Sequence, residues 1–543
     1  MIWGSAPIAP ANLALIARKS NHRDSLRTRL LLWLTPMVLT LGLIFGLLVA
    51  GRLGDLLATS QGWHSLFTTW RVVSDPQVAR EVMLAVLEVL AGVFAISITV
   101  VAIIVQLSAT RYTSRVVDLF LADPFNVVIF FVYVVPLIFG FWLANSLGGG
   151  NEAPVSTLAF FALSTLAIIL VIPYFKYVFY FLQPKHILDN ITGSVKESLG
   201  KAITQPGRIA GIQDEVSNSI RQLNDIALSS LAQSDIVLAL QCVDSINQVA
   251  VDYLEKKARL PPEWFRIAPN HIVGLSEEVW REIVERHTWI EMEIFKQYEI
   301  TFTTSLRKVR DVNSQVARSL RGIAQAALEH DRGETLDLFI KGMNTLIMYA
   351  LSERDIRSAV NVLYQYRLLG EALTDRPVLV ERIAGHLSYY GRNSRQRRIF
   401  FVMEVVAYDL RTMIEHVHAR DVQGIESLVA IFLGLDNAND HQDSDGSPSG
   451  LRKSQALLAA FLIRENRLDL AGRIFKAMSN DPPEFLSQLR EELFANQSRE
   501  FWEIEDRGVS FYYVEELHRE SVGKFFSWLL GENPLPIQIS QSA

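Results

Sequence analysis

Residues 83–109 read MLAVLEVLAGVFAISITVVAIIVQLSA, and Glu88 is the one charged side chain in this run. As a helix with a rise of about 1.5 Å per residue, the run is about 40 Å long, which exceeds the ~30 Å hydrocarbon core of a bilayer. Lipid offers no hydrogen-bond partner to an open backbone. A run of this length is therefore expected to be a helix that spans a membrane.

Three further apolar runs have a similar length, namely 30–51, 125–147 and 155–182. Together with 83–109 they predict a four-helix transmembrane domain over residues 30–182, preceded by a tail of 29 residues. The first run is too long for the apolar core of a signal peptide, and no small-residue cleavage site follows it, so we interpret it as a retained span.

Lysine and arginine are unevenly distributed around these runs. The loop 148–152 has neither, and the regions at the other ends of the spans are rich in both. Under the positive-inside rule this asymmetry places both termini in the cytoplasm of a multi-pass protein of the cell inner (plasma) membrane. The basic residues that predict the cytoplasmic side are Arg18, Lys19, Arg23, Arg27, Arg29, Arg111, Arg115, Lys185, Lys196 and Lys201, against Arg52, Arg71 and Arg80 on the other side.

Composition argues against several classes of function. The net charge of -6 gives no basic excess for nucleic-acid binding. The one cysteine, Cys242, can form neither an internal disulfide nor a cysteine-based metal site. The sequence has no P-loop, dinucleotide-binding glycine motif, zinc-protease motif or nucleophile elbow, so we expect no enzyme, no metal and no cofactor.

Polar and small residues of the second run form a stripe along one side of the predicted helix. They lie within about 40° of one line on a helical wheel, and the opposite side is apolar. A charged residue in hydrocarbon costs about 2.5–3.5 kcal/mol on insertion scales, so the stripe is expected to face other helices or water. The stripe residues are Glu88, Gly92, Ala95, Thr99, Ala102, Gln106 and Thr110, and the opposite side carries Leu87, Leu90, Phe94, Ile98, Val101 and Val105.

Two interpretations of the stripe are open. Small side chains let helices pack closely, and Thr99 and Gln106 can form hydrogen bonds between helices. Alternatively, the stripe lines a pore or substrate path, with Arg111 and Arg115 as charges at its mouth.

The sequence around this run resembles a known family. The resemblance rests on Val93-Phe94-Ala95-Ile96-Ser97-Ile98-Thr99 and Gln106-Leu107-Ser108-Ala109-Thr110-Arg111-Tyr112-Thr113-Ser114-Arg115. A further similar region is 227–244. Over about the first 250 residues the chain resembles bacterial predicted membrane proteins of domain-of-unknown-function family 2254. The resemblance implies four spans and a cytoplasmic tail, without an established chemistry.

From residue 183 onward, helical periodicity replaces long apolar runs. Several helices are entered through a polar turn with a small or apolar residue about four positions later: Ser234-Asp235 with Ala239, Arg354-Asp355 with Ala359, Arg420-Asp421 with Ile425, and Glu465-Asn466 with Leu470-Ala471. Aspartate and asparagine suit helix N-caps. The pattern predicts an all-α cytoplasmic domain of solenoid-like hairpins over 183–435.

Composition also suggests how the remainder of the chain is organised. The segment 436–453 is predicted to be a flexible linker because its sequence is polar and rich in Asp, Ser and Gly, and 454–543 is a C-terminal helical segment. Within that segment, Val522–Leu530 is expected to pack in the core, with docking on a membrane surface as the alternative.

These features predict an oligomeric ion channel or channel-like pore, because subunits with few spans commonly assemble around an axis lined by one helix each. The alternative is a membrane-anchored scaffold or sensor whose helical array binds cytoplasmic protein partners. In either case the expected partners are the lipid bilayer and further copies of the chain.

Cysteine labelling tests the predicted topology. A membrane-impermeant thiol reagent applied from outside should label a cysteine introduced at Gly149 and should not label one at Arg23 or Asp445, because both termini are expected inside. Permeabilised cells provide the control, since all three positions should then react. Labelling of the Asp445 position from outside would overturn the topology.

Overall fold

The computed structural model describes residues 38, 42–57, 75–111, 117, 120–121, 123–147, 153–267, 274–420, 424–436, 449–500 and 510–536. Within these residues the fold is all-helical and has no β-strand. The chain divides into two compact units, Met1–Ile187 and Leu188–Ala543. The boundary lies five residues after the end of the predicted transmembrane domain.

The first unit contains the apolar helices. They are α1 (residues 42–57), α2 (Pro76–Arg111), α3 (Pro124–Leu147), α4 (Pro154–Ile169) and α5 (Val171–Phe181). Three stretches are long and apolar enough to cross a membrane, namely Pro76–Ala109, Phe125–Leu147 and Pro154–Phe181. They correspond to the last three predicted spans. Half of the first predicted span, 30–51, lies outside the described residues, so the count of four stays a prediction.

Helix α2 begins at Pro76, earlier than the predicted start of the span at Met83. The Asp75 carboxylate accepts hydrogen bonds from the backbone N–H of Gln77 at 2.9 Å and of Val78 at 3.4 Å. Proline is favoured in the first turn because it has no N–H to leave unpaired. The apolar run marks the part of the helix suited to lipid, whereas this cap fixes where the helix begins.

The last predicted span is not one straight helix, because it is interrupted at Leu170 between α4 and α5. Pro173 has no backbone N–H, so the carbonyl of Ile169, four residues earlier, loses its helical partner. Leu170 keeps a helical φ of -71° but has a ψ of -9°. The interruption is thus a local effect of one proline.

The spans pack most closely at Gly140 of α3. A side chain there would overlap the Phe160 ring of α4 and would lie 2.9 Å from Leu87 Cδ2 of α2. Around this point Met83, Phe139 and Phe160 form a buried apolar cluster. Glycine therefore sets the distance at which α2, α3 and α4 meet.

The second unit is a helical array. Its helices are α6 (Pro184–Thr204), which crosses the boundary between the units, α7 (Ile209–Ala232), α8 (Ile236–Lys257), α9 (Glu277–Glu285), α10 (Trp289–Ser305), α11 (Arg310–Glu329), α12 (Gly333–Ser352), α13 (Ile356–Ala372), α14 (Pro377–Gln396), α15 (Phe400–Ala419), α16 (Ile425–Leu433), α17 (Ser449–Arg464), α18 (Leu468–Met478), α19 (Pro483–Ala495) and α20 (Glu516–Leu529). Short 3₁₀ helices occupy Pro206–Arg208, Pro262–Phe265 and Gly434–Asp436.

These helices pack in two rows. One row runs from α8 through α11, α13 and α15 to α17, and the other from α10 through α12 and α14 to α16, each helix packing against the next in its row. Antiparallel hairpins such as α12 with α13 and α14 with α15 connect the rows. Such stacking of hairpins is typical of an α-solenoid.

The turns between helices contain the polar residues that the sequence predicts at helix entries. Ser234 and Arg354 have positive φ values of 62° and 53°, and each following aspartate donates its backbone N–H at 2.8 Å to the carbonyl five residues earlier. Asp235 and Asp355 then cap the next helix through their side chains, as predicted. Asn466 differs, because it is the positive-φ turn residue at 59° and Arg467 precedes the helix. Residues 421–423 lie outside the described residues.

The predicted linker 436–453 ends too late, since α17 begins at Ser449. The reason is Arg452, which is buried and forms ion pairs at 2.7 Å with Asp436 and with Asp481. Residues 437–448 lie outside the described residues. The helices on either side of the linker pack together, α17 against α15.

The C-terminal apolar run packs in the core, as expected. Val522, Phe525 and Phe526 of α20 are fully buried, and α20 packs against α17.

Two glycines of the spans provide a matched test of the packing. Gly140→Ala should destabilise the protein by about 1–3 kcal/mol, because the new methyl group overlaps Phe160. Gly92→Ala should be neutral or mildly stabilising, because nothing lies within 4 Å of the added carbon. The stability of both variants is measured by heating them in detergent and using size-exclusion chromatography to determine the fraction that remains folded. Equal loss in the two variants would contradict the described packing of α3.

Candidate functional site

The side of α2 that carries the predicted stripe is exposed in the single chain. Glu88, Gly92, Ala95, Thr99, Ala102 and Gln106 are all exposed. The structure does not describe the side chains of Thr110 and Arg111, and Arg115 lies outside the described residues. The stripe therefore does not contribute to the packed interior of the single chain.

The opposite side of α2 holds the helix in the bundle. Met83, Leu90, Val101 and Val105 are buried there, and α2 packs against α3 and α4. Ser97 is also buried on this side, and its hydroxyl donates at 2.7 Å to the carbonyl of Val93 in the same helix. The contacts of the bundle thus use the face away from the stripe.

Polar groups of the stripe make few contacts within the chain. The Glu88 carboxylate has neither a hydrogen bond nor an ion pair to any residue that the structure describes. The Thr99 hydroxyl donates at 2.8 Å to the carbonyl of Ala95, one turn earlier in its own helix. The Thr99 donor is thereby satisfied without a second helix, whereas the Glu88 carboxylate is not.

A cavity of about 610 Å³ lies beside the C-terminal half of the stripe. Its lining is almost entirely apolar and comes from α2, α3, Val117, Phe120, Leu121 and Tyr174 of α5. Of the predicted stripe residues, Ala102 and Gln106 line this cavity, and Glu88, Gly92, Ala95 and Thr99 do not. The structure therefore divides the stripe into an N-terminal part, 88–99, that is exposed away from the cavity and a C-terminal part, 102–106, that borders the cavity.

Sequence reasoning missed Asp55 of α1. This carboxylate is buried, and its Oδ1 accepts from the backbone N–H of Val155 at 2.8 Å while its Oδ2 accepts from the Ser156 hydroxyl at 2.5 Å. It thus caps the positive end of α4 from another helix. Gly51 allows the approach, because a Cβ there would lie 2.5 Å from the Ser156 oxygen. The Gly-x-x-Gly-Asp spacing of 51–55 was the signal in the sequence.

A second missed contact fixes the turn before α3. Asp123 accepts hydrogen bonds from the backbone N–H of Phe125 at 2.8 Å and from the Tyr177 hydroxyl of α5. Asn126 donates at 2.7 Å to the carbonyl of Phe120. The bond to Tyr177 holds Asp123 against α5, and the bond to Phe120 holds Asn126 at one end of the cavity.

Within the described residues, no cluster of three or more His, Cys, Asp or Glu side chains is placed to hold a metal ion. The candidate site therefore consists of the exposed stripe of α2 and the adjoining cavity.

Comparison with known proteins relates the chain to one family. No curated protein matches it. A solved structure, a circular tandem repeat protein with novel repeat topology and enhanced subunit contact surfaces, covers 93% of this chain and 98% of its own at 12% identity, with a TM-score of 0.32. That likeness is too weak to support an argument. Residues 29–210 match the family model described as "Predicted membrane protein (DUF2254)". This confirms the resemblance seen in the sequence: residues 29–210 are similar to this family of predicted membrane proteins, and the apolar helices of the same region support a membrane protein.

Proposed function

We propose that the protein is a homo-oligomeric channel in which α2 of each subunit faces a central axis and the stripe lines a water-filled path. The observation that supports this most is Glu88, an exposed carboxylate without a partner among the described residues, on a helix apolar enough to span a membrane. A charge left in hydrocarbon costs about 2.5–3.5 kcal/mol on insertion scales. Assembly around an aqueous path removes that cost.

The spacing of the stripe gives the proposed path three polar levels. Thr99 lies eleven residues from Glu88, about 16 Å along the helix, and Gln106 lies about 10 Å further. In an oligomer these residues form a carboxylate ring near the outer mouth, a hydroxyl ring near the middle and an amide ring near the inner end. A carboxylate ring attracts cations, whereas Arg111 and Arg115 at the cytoplasmic mouth act in the opposite direction.

The proposal includes the orientation predicted from charge. Both termini and the helical array then lie in the cytoplasm, the membrane is the cell inner (plasma) membrane, and 30–51 supplies the fourth span. No catalytic step is proposed, because the sequence carries no catalytic motif.

A membrane-anchored scaffold or sensor is the second candidate. The two rows of helices in Leu188–Ala543 support it, since stacked helical hairpins commonly bind protein partners. In this case the spans serve to anchor and oligomerise the chain, and the stripe is a surface of close packing between subunits. Access of water to the stripe separates the two candidates.

Single-cysteine variants test for the aqueous path. Native Cys242 is fully buried, and burial raises the pKa of its thiol, so it stays unreactive. Thr99→Cys should react with a water-soluble methanethiosulfonate reagent in reconstituted vesicles, because the path brings water to that depth. Ile96→Cys is the control, since Ile96 is 66% exposed in the single chain but lies outside the stripe and should face lipid. Failure of both variants to react would favour the scaffold.

Selectivity tests the role of Glu88. Glu88→Gln keeps the size of the side chain and removes its charge, so the variant should still assemble. In planar bilayers under a salt gradient, its reversal potential should shift toward that of anions because the carboxylate ring is lost. Absence of current in the wild-type protein under stretch, voltage and pH change would exclude the channel. If the Glu88→Gln variant conducts with the selectivity of the wild-type protein, the ion path does not pass Glu88.

A further inference from the structure

The cavity beside α2 has the features of a binding site. Its volume of about 610 Å³ is within the roughly 300–1,000 Å³ that is usual for small-molecule sites. Phe94, Phe130 and Tyr133 form one wall, with the Phe94 and Tyr133 rings stacked at 5.3 Å and the Phe94 and Phe130 rings at 5.6 Å. This aromatic wall is apolar, which suits a hydrocarbon ligand.

The cavity lies along stretches that are apolar enough to cross a membrane. On α2 its lining extends from Phe94 to Ala109 and on α3 from Asn126 to Tyr133. Ile98 and Leu121 in its lining are 43% and 49% exposed, so the cavity opens at the surface of the helices. In a bilayer, acyl chains are the molecules that surround such an opening.

Two polar atoms in the lining lack partners in the part of the chain that the structure describes. The Tyr133 side chain is 1% exposed, and its hydroxyl makes no hydrogen bond. Asn126 uses its amide nitrogen on the Phe120 carbonyl, which leaves its buried Oδ1 without a donor. Buried polar atoms without partners are rare, and a purely hydrocarbon ligand would satisfy neither.

The positions of the polar groups give the ligand a direction. Asn126 is near the start of α3 and Gln106 is near the end of α2, so both lie at the end of the cavity close to the membrane surface. Phe94 and Tyr133 lie about two or more turns deeper. A ligand with a polar end at Asn126 and an acyl chain reaching toward Phe94 matches this arrangement.

We propose that this cavity binds one membrane lipid, with its acyl chain between α2 and α3 and a hydrogen-bond-donating headgroup at Asn126 Oδ1. Hydroxyl and ammonium headgroups provide such a donor, whereas a choline headgroup does not. The site shares Ala102 and Gln106 with the proposed path and does not include Glu88, Gly92, Ala95 or Thr99. Lipid retention is therefore measured separately from conduction.

Neighbouring valines of α3 provide a matched test. Val127 lines the cavity, and Val128 is 57% exposed and does not line it. Val127→Trp fills the cavity from the side of α3, away from the stripe, and Val128→Trp adds the same indole outside it. The full chain and both variants are reconstituted in nanodiscs of equal phosphatidylglycerol and phosphatidylcholine, extracted in mild detergent and examined by native mass spectrometry.

The wild-type protein and Val128→Trp should each retain about one lipid per chain, enriched in phosphatidylglycerol, and Val127→Trp should lose it several-fold. Equal retention by Val127→Trp, or retention of the two lipids in their bulk ratio, would overturn the proposal. Thermal unfolding of Val127→Trp checks that the variant is folded. If it is not, photocrosslinking of a phosphatidylglycerol that bears a diazirine on its acyl chain to the wild-type chain decides, since labelling confined to residues that do not line the cavity would contradict the site.

Discussion

The close approach of three helices at Gly140 constrains the rest of the membrane unit. Because α3 has no side chain at this position, the Phe160 ring of α4 and the Leu87 side chain of α2 can both contact its backbone. That contact determines which face of α2 is buried. Once Met83, Leu90 and Val101 face the bundle, the opposite face of the same helix must point outward. The exposure of the polar stripe is thus a consequence of apolar packing.

The free-energy cost of exposing the stripe face of α2 depends on whether water or lipid surrounds it. In water, a side with a glutamate and several small residues would need no explanation. On a helix that crosses a membrane, the same side exposes Glu88 to hydrocarbon, and a second subunit or access of water would remove that cost. The cavity follows the same logic, because polar atoms at Asn126 and Tyr133 are buried among hydrocarbon walls. In the proposed assembly, neighbouring subunits and a bound lipid supply the partners that these groups lack within one chain.

The sequence predicted those parts of the fold that depend on length and periodicity. Apolar runs identified three candidate spans, because span length follows from helix geometry alone. The wheel of 83–109 separated the polar stripe of α2 from its apolar side, but it did not predict which side packs against α3 and α4. The aspartates at 235 and 355 were correctly assigned as caps. Contacts between distant residues could not be predicted in this way. The Asp55 cap on α4 joins positions 100 residues apart, and the cavity arises where three segments leave a gap.

Local departures from the predicted elements have equally specific causes. The start of α2 depends on one aspartate and one proline, and the interruption at Leu170 depends on the missing N–H of Pro173. The linker was predicted to reach residue 453 from composition, which does not reveal that Arg452 pairs with Asp436 and Asp481. Periodicity therefore located the helices, and pairwise chemistry determined where they begin, bend and join.

The central claim is that α2 lies innermost in an assembly with its stripe toward the axis. Cryo-electron microscopy of the full chain in lipid nanodiscs measures this directly, as the distance from the symmetry axis to Thr99 compared with that to Phe141, an exposed residue of α3. The account predicts a closed ring of subunits in which Thr99 is nearer the axis and Glu88, Thr99 and Gln106 face an open path. A monomer, or a ring in which the stripe of α2 contacts lipid, would contradict it.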